Sequence, residues 1–514
     1  NNFVLAPKRT KSGHALLGND PHLEITDPPY FFWMNIQTPT QNIIGATVAG
    51  VPGFPFGMNT KMAWGLTNSF FDVTDLVLTS QQNLKLKSAR PTIHVKIGPF
   101  QFPFFFKSLQ WTDEEDSRPI LPVEIDRMSS KDVLVLEWSG FKINGKSITP
   151  LFELPFSDSV QSFDKRLMHT EVPSWHFVYA DTKGNIGFRT SGLLPKLHEM
   201  NSFGVKSDRM NYSEMLSPLE APSLSNPERG FIVTANNPPW PKYYRYSAGN
   251  TFEPGFRAHR IEELVNSQDK WDLENAKKLQ CDFKAPDADF ILPLMSEILK
   301  KSESLTEKET RLLNSLTDAL PLYFTRECRL CALYTLWMEK LRDEMKMDEI
   351  NIYYWLSPQN KSREEITDIL QKTFKAAIRT LEKTRGLEPK WADIHRNRFL
   401  RLGETNRNIE DSAPAQGAYH SVSLGQSKWN DTDSVFDVTY VPASRFLVEL
   451  SSPPRAVFVT PSQNISTLSL SSFSKDPMTE AWTNCDYRPL SFGFSPPDNV
   501  QSLRTVTINL KKMQ

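Results

Sequence analysis

The stretch Asn1–Leu23, "NNFVLAPKRTKSGHALLGNDPHL", decides the fold. It begins inside what reads as a β-strand, turns, and runs at once into Asn19-Asp20-Pro21-His22. By itself that tetrapeptide reads as a turn carrying a loop or core histidine. The motifs that follow change its meaning.

Strand and turn signals fill the chain to about residue 250. They include "NIIGATVAGVPG", "DVLVLEWSG" and "HFVYADTKGNIGFRTSG", whose Asp-Thr-Lys-Gly-Asn centre reads as a hairpin turn. From Arg257 to about Leu402 the apolar period changes to 3.6. In "SREEITDILQKTFKAAIRTLEKTRG" Ser362 and Glu365 read as a capping box, and Ile366, Ile369, Leu370, Phe374, Ile378 and Leu381 share one helix face. Strands return in "YHSVSLGQ", "SVFDVTYV", "RFLVELS" and "RAVFVTPS", and the chain closes on "TVTINLKK". This order predicts an α+β layered fold, with a β-rich part over 1–256, a helical block over 257–405 and a β-rich part over 406–514 that completes the same body.

At 514 residues, 39% hydrophobic and 23% charged, the chain can bury a large core. A formal net charge of −1 gives no bulk attraction to nucleic acid. The longest apolar run, Ile43–Met58, is broken by glycines, Pro52 and Pro55, so no membrane span is expected. Four cysteines are too few for a disulfide framework at this length. Cys328 and Cys331 form a C-x-x-C with helical apolar spacing around it, which predicts a core role, because zinc needs four convergent ligands. The N-x-[ST] sequons at Asn211, Asn360, Asn430 and Asn464 are weak signals of secretion.

Three further stretches carry chemistry. In "GVPGFPFGMNTKMAWGLTNSFFDVTDL", Gly50–Leu76, a strand through Trp64 is followed by Asp72 and Asp75, a spacing that suits oxygen ligation of a hard cation or a solvated turn. In "GFIVTANNPPW", Gly230–Trp240, an apolar strand runs into Asn236-Asn237, either a turn or a side-chain donor for an oxyanion. "FRAHRIEEL" places Arg257 and Arg260 three apart at a helix start, where solvated charges are the plain alternative.

In this order the motifs resemble the β-subunit of the penicillin acylase family of N-terminal nucleophile hydrolases. The resemblance extends over almost the whole chain. It also takes in "YADTKGNIGFR", "WADIHRNRF" around His395, "YHSVSLG" and the terminal "YRPL" of Tyr487–Leu490. It implies an αββα four-layer sandwich and hydrolysis of a linear acyl amide, such as a penicillin or an N-acyl-homoserine lactone. In that family the first residue of the subunit, usually serine, is the nucleophile and its own α-amino group the base. By position His22 matches a residue that tunes the nucleophile. Asn68 matches a backbone oxyanion donor, Asn236 the side-chain donor, and Arg260 the arginine that orients this Asn. Leu23, Phe56 and Phe70 match the acyl pocket. Asp72, the Thr74 backbone and Asp75 match ligands of a structural calcium, and no cofactor for catalysis is implied. An α-subunit from the same self-cleaving precursor and a periplasmic or secreted location are implied as well.

The sequence departs from that pattern in places. Spacing from Phe3 to the N-D-P-H motif puts the nucleophile one position before Asn1, and a neutral carboxamide cannot replace it. A residue lost from the chain, altered processing, or an inactive homologue serving as a structural or interaction subunit are the three readings. Met58 stands where a histidine is usual, and Ala392-Asp393 and Ser462-Gln463-Asn464 also differ.

Overall fold

The structure, a computed structural model, describes residues 1–27, 29–105, 108–113, 117–123, 128–143, 148–197, 214–240, 244–249, 252–302, 305–347, 349–356, 363–401, 412–462 and 476–492. The chain opens with β1 (Asn2–Leu5), β2 (Leu16–Asn19) and β3 (His22–Glu24). An antiparallel meander follows: β4 (Phe31–Gln37), β5 (Asn42–Val48), β6 (Val51–Asn59) and β7 (Met62–Asn68). Next come β8 (Thr74–Ser80), the hairpin β9 (Thr92–Ile97) and β10 (Phe100–Phe105), and β11 (Asp132–Trp138), which pairs with β8. Helices α1 (Ile148–Glu153) and α2 (Val160–Leu167) lead to the hairpin β12 (Trp175–Asp181) and β13 (Ile186–Thr190). Its turn is the expected one: the Asp181 carboxylate accepts from the Lys183 and Asn185 amides, and Gly184 takes φ +90°.

After β14 (Ser223–Ser225) and β15 (Phe231–Thr234) come α3 (Phe256–Asn266) and α4 (Leu273–Gln280). The helices α5 (Pro286–Lys301), α6 (Glu307–Asp318), α7 (Cys331–Met345), α8 (Glu349–Leu356) and α9 (Arg363–Thr384) then build a core of their own. Strands β16 (Gln426–Asn430), β17 (Val435–Pro442), β18 (Arg445–Glu449) and β19 (Arg455–Val459), helix α10 (Pro477–Asn484) and strand β20 (Arg488–Leu490) end the described chain.

Two sheets face each other. One has the order β15-β1-β2-β18-β19-β20, the other β14-β13-β12-β7-β6-β5-β4. Side chains alternate along a strand, so each sheet has two apolar faces to cover. Val4, Leu17, Ile232, Phe446 and Val448 of the first sheet meet Ile44, Phe56, Met58, Ala63, Val178 and Phe188 of the second. On the outer face of the first sheet, Phe3, Leu5, Leu16 and Val233 pack under Ala258, Ile261 and Val265 of α3 and Leu273, Ala276 and Leu279 of α4. On the outer face of the second, Met62, Trp64, Phe177 and Tyr179 pack under Val160, Phe163 and Leu167 of α2. Helix, sheet, sheet, helix: the αββα sandwich is present. Burying one such Phe or Leu stabilises the fold by about 1.5–3 kcal/mol.

The buried face of α9 carries Ile366, Leu370, Phe374, Ile378 and Leu381, as the 3.6 period requires. Ser362, the other half of its expected box, lies outside the described residues, as do Asn211, Asn360, Asn464 and the "TVTINLKK" segment. Two expectations are corrected. All four cysteines are paired, Cys281 with Cys485 and Cys328 with Cys331, so the C-x-x-C is a cross-link at the start of α7, with Cys331 buried and Cys328 partly so. Residues 419–425 form no strand despite their alternation. Their backbone is bonded to loops instead: the Ser423 amide donates to the Asp282 carbonyl and the Ala418 amide to the Ser421 hydroxyl. Gly417, at φ +84°, permits the turn, since a Cβ there would lie 2.0 Å from the Ser423 carbonyl oxygen. Among the described residues no helix is long and apolar enough to cross a membrane.

Candidate active site

Antiparallel register gathers the site. β1 lies between β2 and β15, with Asn2 opposite both Asn19 and Thr234, so the start of β1 meets the ends of its two neighbours. β7 of the second sheet ends at Asn68 over the same spot. The two sheets come close there because residue 65 is glycine: a Cβ on Gly65 would be 2.7 Å from the Asn19 Cβ and 2.8 Å from the Asn2 Oδ1. Asn19 ties the layers together, its Nδ2 donating to the carbonyls of Asn1 and Leu66, both at 2.9 Å.

A chain of amide and guanidinium contacts runs across this corner. The Asn1 Nδ2 donates to the Asp20 carboxylate at 2.9 Å and to the Val422 carbonyl at 2.8 Å. The Asn1 Oδ1 accepts from Arg257 Nη1 at 2.9 Å, while Arg257 Nη2 donates to the Asn236 Oδ1 at 3.0 Å. A planar guanidinium can hold two carbonyl oxygens in this way, and a lysine cannot. With its oxygen fixed, the Asn236 amide presents Nδ2, which donates to the Asn68 carbonyl at 3.0 Å. Since an amide nitrogen carries two hydrogens, one N–H is left for a ligand. Asn236 sits at φ +66°, a region that Asn tolerates better than most residues.

His22 closes the other side, with Nε2 3.0 Å from the Asp20 carboxylate. Burial pushes its imidazole down to about 3, helped by the charge of Arg257 and opposed by Asp20. The ring is therefore neutral. Facing a carboxylate, Nε2 carries the hydrogen, which leaves Nδ1 as a bare acceptor. That atom is buried and has no hydrogen-bond partner among the described residues.

The structure thus brings His22, Asn68 and Asn236 together, but not Arg260. The expected contact of Arg260 with Asn236 is made by Arg257. Side chains of a helix tilt toward its N-terminus, and Arg257, in the first turn of α3, reaches back to the end of β15. One turn later Arg260 meets Asp282 at 2.8 Å and Glu263 at 2.8 Å. Asp20, buried, and the carbonyl of Val422 are site groups that the motifs contained without marking. Their signal was adjacency: Asp20 stands inside the N-D-P-H motif, and Val422 inside "YHSVSLG".

Leu23 packs on the cluster that contains Phe56, whose ring is fully buried edge-on against Phe31 and Trp33. Phe70 is half-buried two residues beyond Asn68, at φ +50°. Asp72 and Thr74 lie on the link into β8 and at its first residue, and Asp75 is buried within it, cross-strand from Glu137. Among the described residues no three His, Cys, Asp or Glu side chains converge to hold a metal ion. Asp72, the Thr74 backbone and Asp75 supply only part of the six to eight oxygens that calcium takes, and no catalytic step is assigned to a cation.

Against known proteins, the penicillin amidase family model matches residues 1–496. The chain is 25% identical over 489 residues to the acyl-homoserine lactone acylase QuiP of Pseudomonas aeruginosa, covering 83% of this chain and 57% of that protein. It is 27% identical over 331 residues to the penicillin acylase 2 proenzyme of a Pseudomonas species, covering 60% of this chain and 41% of that one. The thermostable penicillin G acylase of Alcaligenes faecalis superposes with a TM-score of 0.70 at 15% identity, over 99% of this chain and 100% of that chain, a likeness of fold. The chain spans 57% of the length of the QuiP acylase. A match over nearly its full length makes this chain a member of the penicillin amidase family.

Proposed function

We propose that this protein hydrolyses the amide bond of a linear N-acyl amine, through a Ser, Thr or Cys one position before Asn1. One observation carries the reading. Arg257 joins the side-chain oxygens of Asn1 and Asn236, which supports a nucleophile joined to the Asn1 nitrogen and lying beside Asn236. A hydroxyl or thiol there attacks the acyl carbonyl, and the α-amino group of the same residue takes the proton. The developing oxyanion accepts from the second Nδ2 hydrogen of Asn236 and from the Asn68 backbone N–H. Arg257 positions Asn236, and neutral His22 packs beside the nucleophile without competing for the proton. The amine leaves with a proton, and water then releases the carboxylic acid from the acyl-enzyme.

An apolar acyl group beside His22 suits this reading, since Leu23 packs there on the apolar cluster that contains Phe56. Acylated homoserine lactones and penicillins, named for the relatives, are the first substrates to try. A companion α-chain cut from the same precursor belongs to this reading, supported by a relative that is itself a proenzyme. An oxidising location such as the periplasm or exterior belongs to it too, supported by both disulfides.

The test is a panel of acyl amides with short, medium and long acyl chains, given to the processed protein with its companion chain. Hydrolysis graded by acyl length is expected. A folded protein that turns over no member of the panel overturns the reading.

A further inference from the structure

The two oxygens of the buried Asp20 carboxylate face different parts of the chain. Oδ2 takes the bonds from the Asn1 amide and the His22 ring. Oδ1 faces Gln280, the last residue of α4, whose side chain is fully buried. Gln280 Nε2 donates to the Phe446 carbonyl at 3.3 Å and to Asp20 Oδ1 at 3.5 Å. Phe446 is the cross-strand partner of Asn19, so both acceptors stand at the end of β2. An amide nitrogen has two hydrogens, and here each meets an oxygen.

Tyr487, the first residue of the terminal "YRPL", decides which end of that amide faces Asp20. Its hydroxyl donates to Gln280 Oε1 at 2.8 Å. The ring is half-buried, with the hydroxyl at its inner end. Burial raises the phenol well above its ordinary value of 10, against the charge of Arg445 and together with that of Asp20, so the hydroxyl keeps its proton and stays a donor. With Oε1 fixed, Nε2 must point at the carboxylate. The reverse orientation would set an amide oxygen against a buried anion, two acceptors with no hydrogen between them. The two segments are also joined covalently, since Cys281 follows Gln280, Cys485 stands two residues before Tyr487, and these cysteines are bonded to each other.

Resting on the amidase reading, we infer that Gln280 and Tyr487 are positioning residues for the hydrolysis: Tyr487 fixes the Gln280 amide, Gln280 holds the Asp20 carboxylate, and Asp20 sets the Asn1 amide and the His22 ring beside the nucleophile. Kinetics of the processed protein with one acyl amide, and nitrogen NMR spectra of its histidines, test this; the His22 signals are those missing from His22→Gln. Tyr487→Phe keeps the ring and loses only the hydroxyl. Its kcat should fall roughly tenfold with KM held within about twofold, and the His22 Nε2 resonance should move. Gln280→Met should cost at least as much, and adding Tyr487→Phe to it should cost nothing more, because a hydroxyl with no amide to fix has no further effect. Lys277→Met, which removes only the ammonium lying over the Tyr487 ring, leaves kcat as it is. A Tyr487→Phe protein with wild-type kcat or unmoved His22 signals overturns the inference, as do losses that add in the double variant. A wild type that hydrolyses no amide sinks the functional reading alone, and the His22 signals then decide the inference by themselves.

Discussion

Replacing Asn236 by Ala lowers kcat for amide hydrolysis by about 10²- to 10³-fold while KM changes far less, the loss expected when one oxyanion donor is removed. Ala also meets strain at φ +66°. Asn236→Gly avoids that strain and should lose activity to the same degree, which separates the lost donor from the lost backbone geometry. Arg257→Met extends the same test. It leaves the Oδ1 atoms of Asn1 and Asn236 without their shared donor, and the buried Asn1 acceptor so orphaned costs about 1–3 kcal/mol. A fall in kcat is expected there too, with Arg257→Lys a poor rescue because one ammonium cannot span both oxygens. Arg260→Met breaks the pair with Asp282 and should lower stability with little effect on kcat. If Arg260→Met removed the activity and Arg257→Met spared it, the positioning assigned to Arg257 would be wrong. Kinetics of the five variants against one amide, with melting curves beside them, decide the matter.

The second large effect is acid unfolding. Burial holds the imidazoles of His176 and His395 down to about 3, against 6.5 for an ordinary histidine. His176 Nδ1 meets the Thr190 hydroxyl, its ring lying edge-on to Phe188 and Trp240, while His395 stacks on Trp391. Among the described residues neither site offers a carboxylate for an imidazolium. Between pH 6.5 and 3 the unfolded chain therefore binds protons that the folded one does not, and stability falls as pH falls. It is fully present above 6.5. Each group costs about 1.4 kcal/mol per pH unit in that window, so the two together cost about 3 kcal/mol per unit. Urea midpoints measured from pH 6.5 to 4.5 check this. Because carboxylates titrate in the same range, the quantity to read is the difference between the wild type and His176→Phe, in which the other groups cancel. A difference that does not vary with pH would refute the assignment for His176.

Much of this was legible in the sequence because it is local. Short apolar runs in β1, β2 and β15 give strands buried on both faces, the 3.6 period of α9 gives its buried face, and Asn19–His22 stand in the turn after a strand whose register is fixed by its neighbours. Those features depend on residues a few places apart. The choice between Arg257 and Arg260 does not: three apart, both lie on one helix face, and which reaches the site depends on where α3 begins relative to the end of β15. The 419–425 segment misled for a related reason. Its alternation is that of a strand, but Gly417 and the loop at Asp282 take its hydrogen bonds, and these are tertiary facts. Cys281 and Cys485 lie 204 residues apart, a pairing no local pattern encodes.

The central claim is that the position before Asn1 carries the nucleophile. Brief reaction of the processed protein with an activated aryl ester of a carboxylic acid, acid quenching and peptide mass mapping test it most directly. One acyl group on the residue immediately preceding Asn1, lost again on standing at neutral pH, is the predicted result. A mature terminus at Asn1 with no turnover, or an acyl group on any other residue, would contradict it.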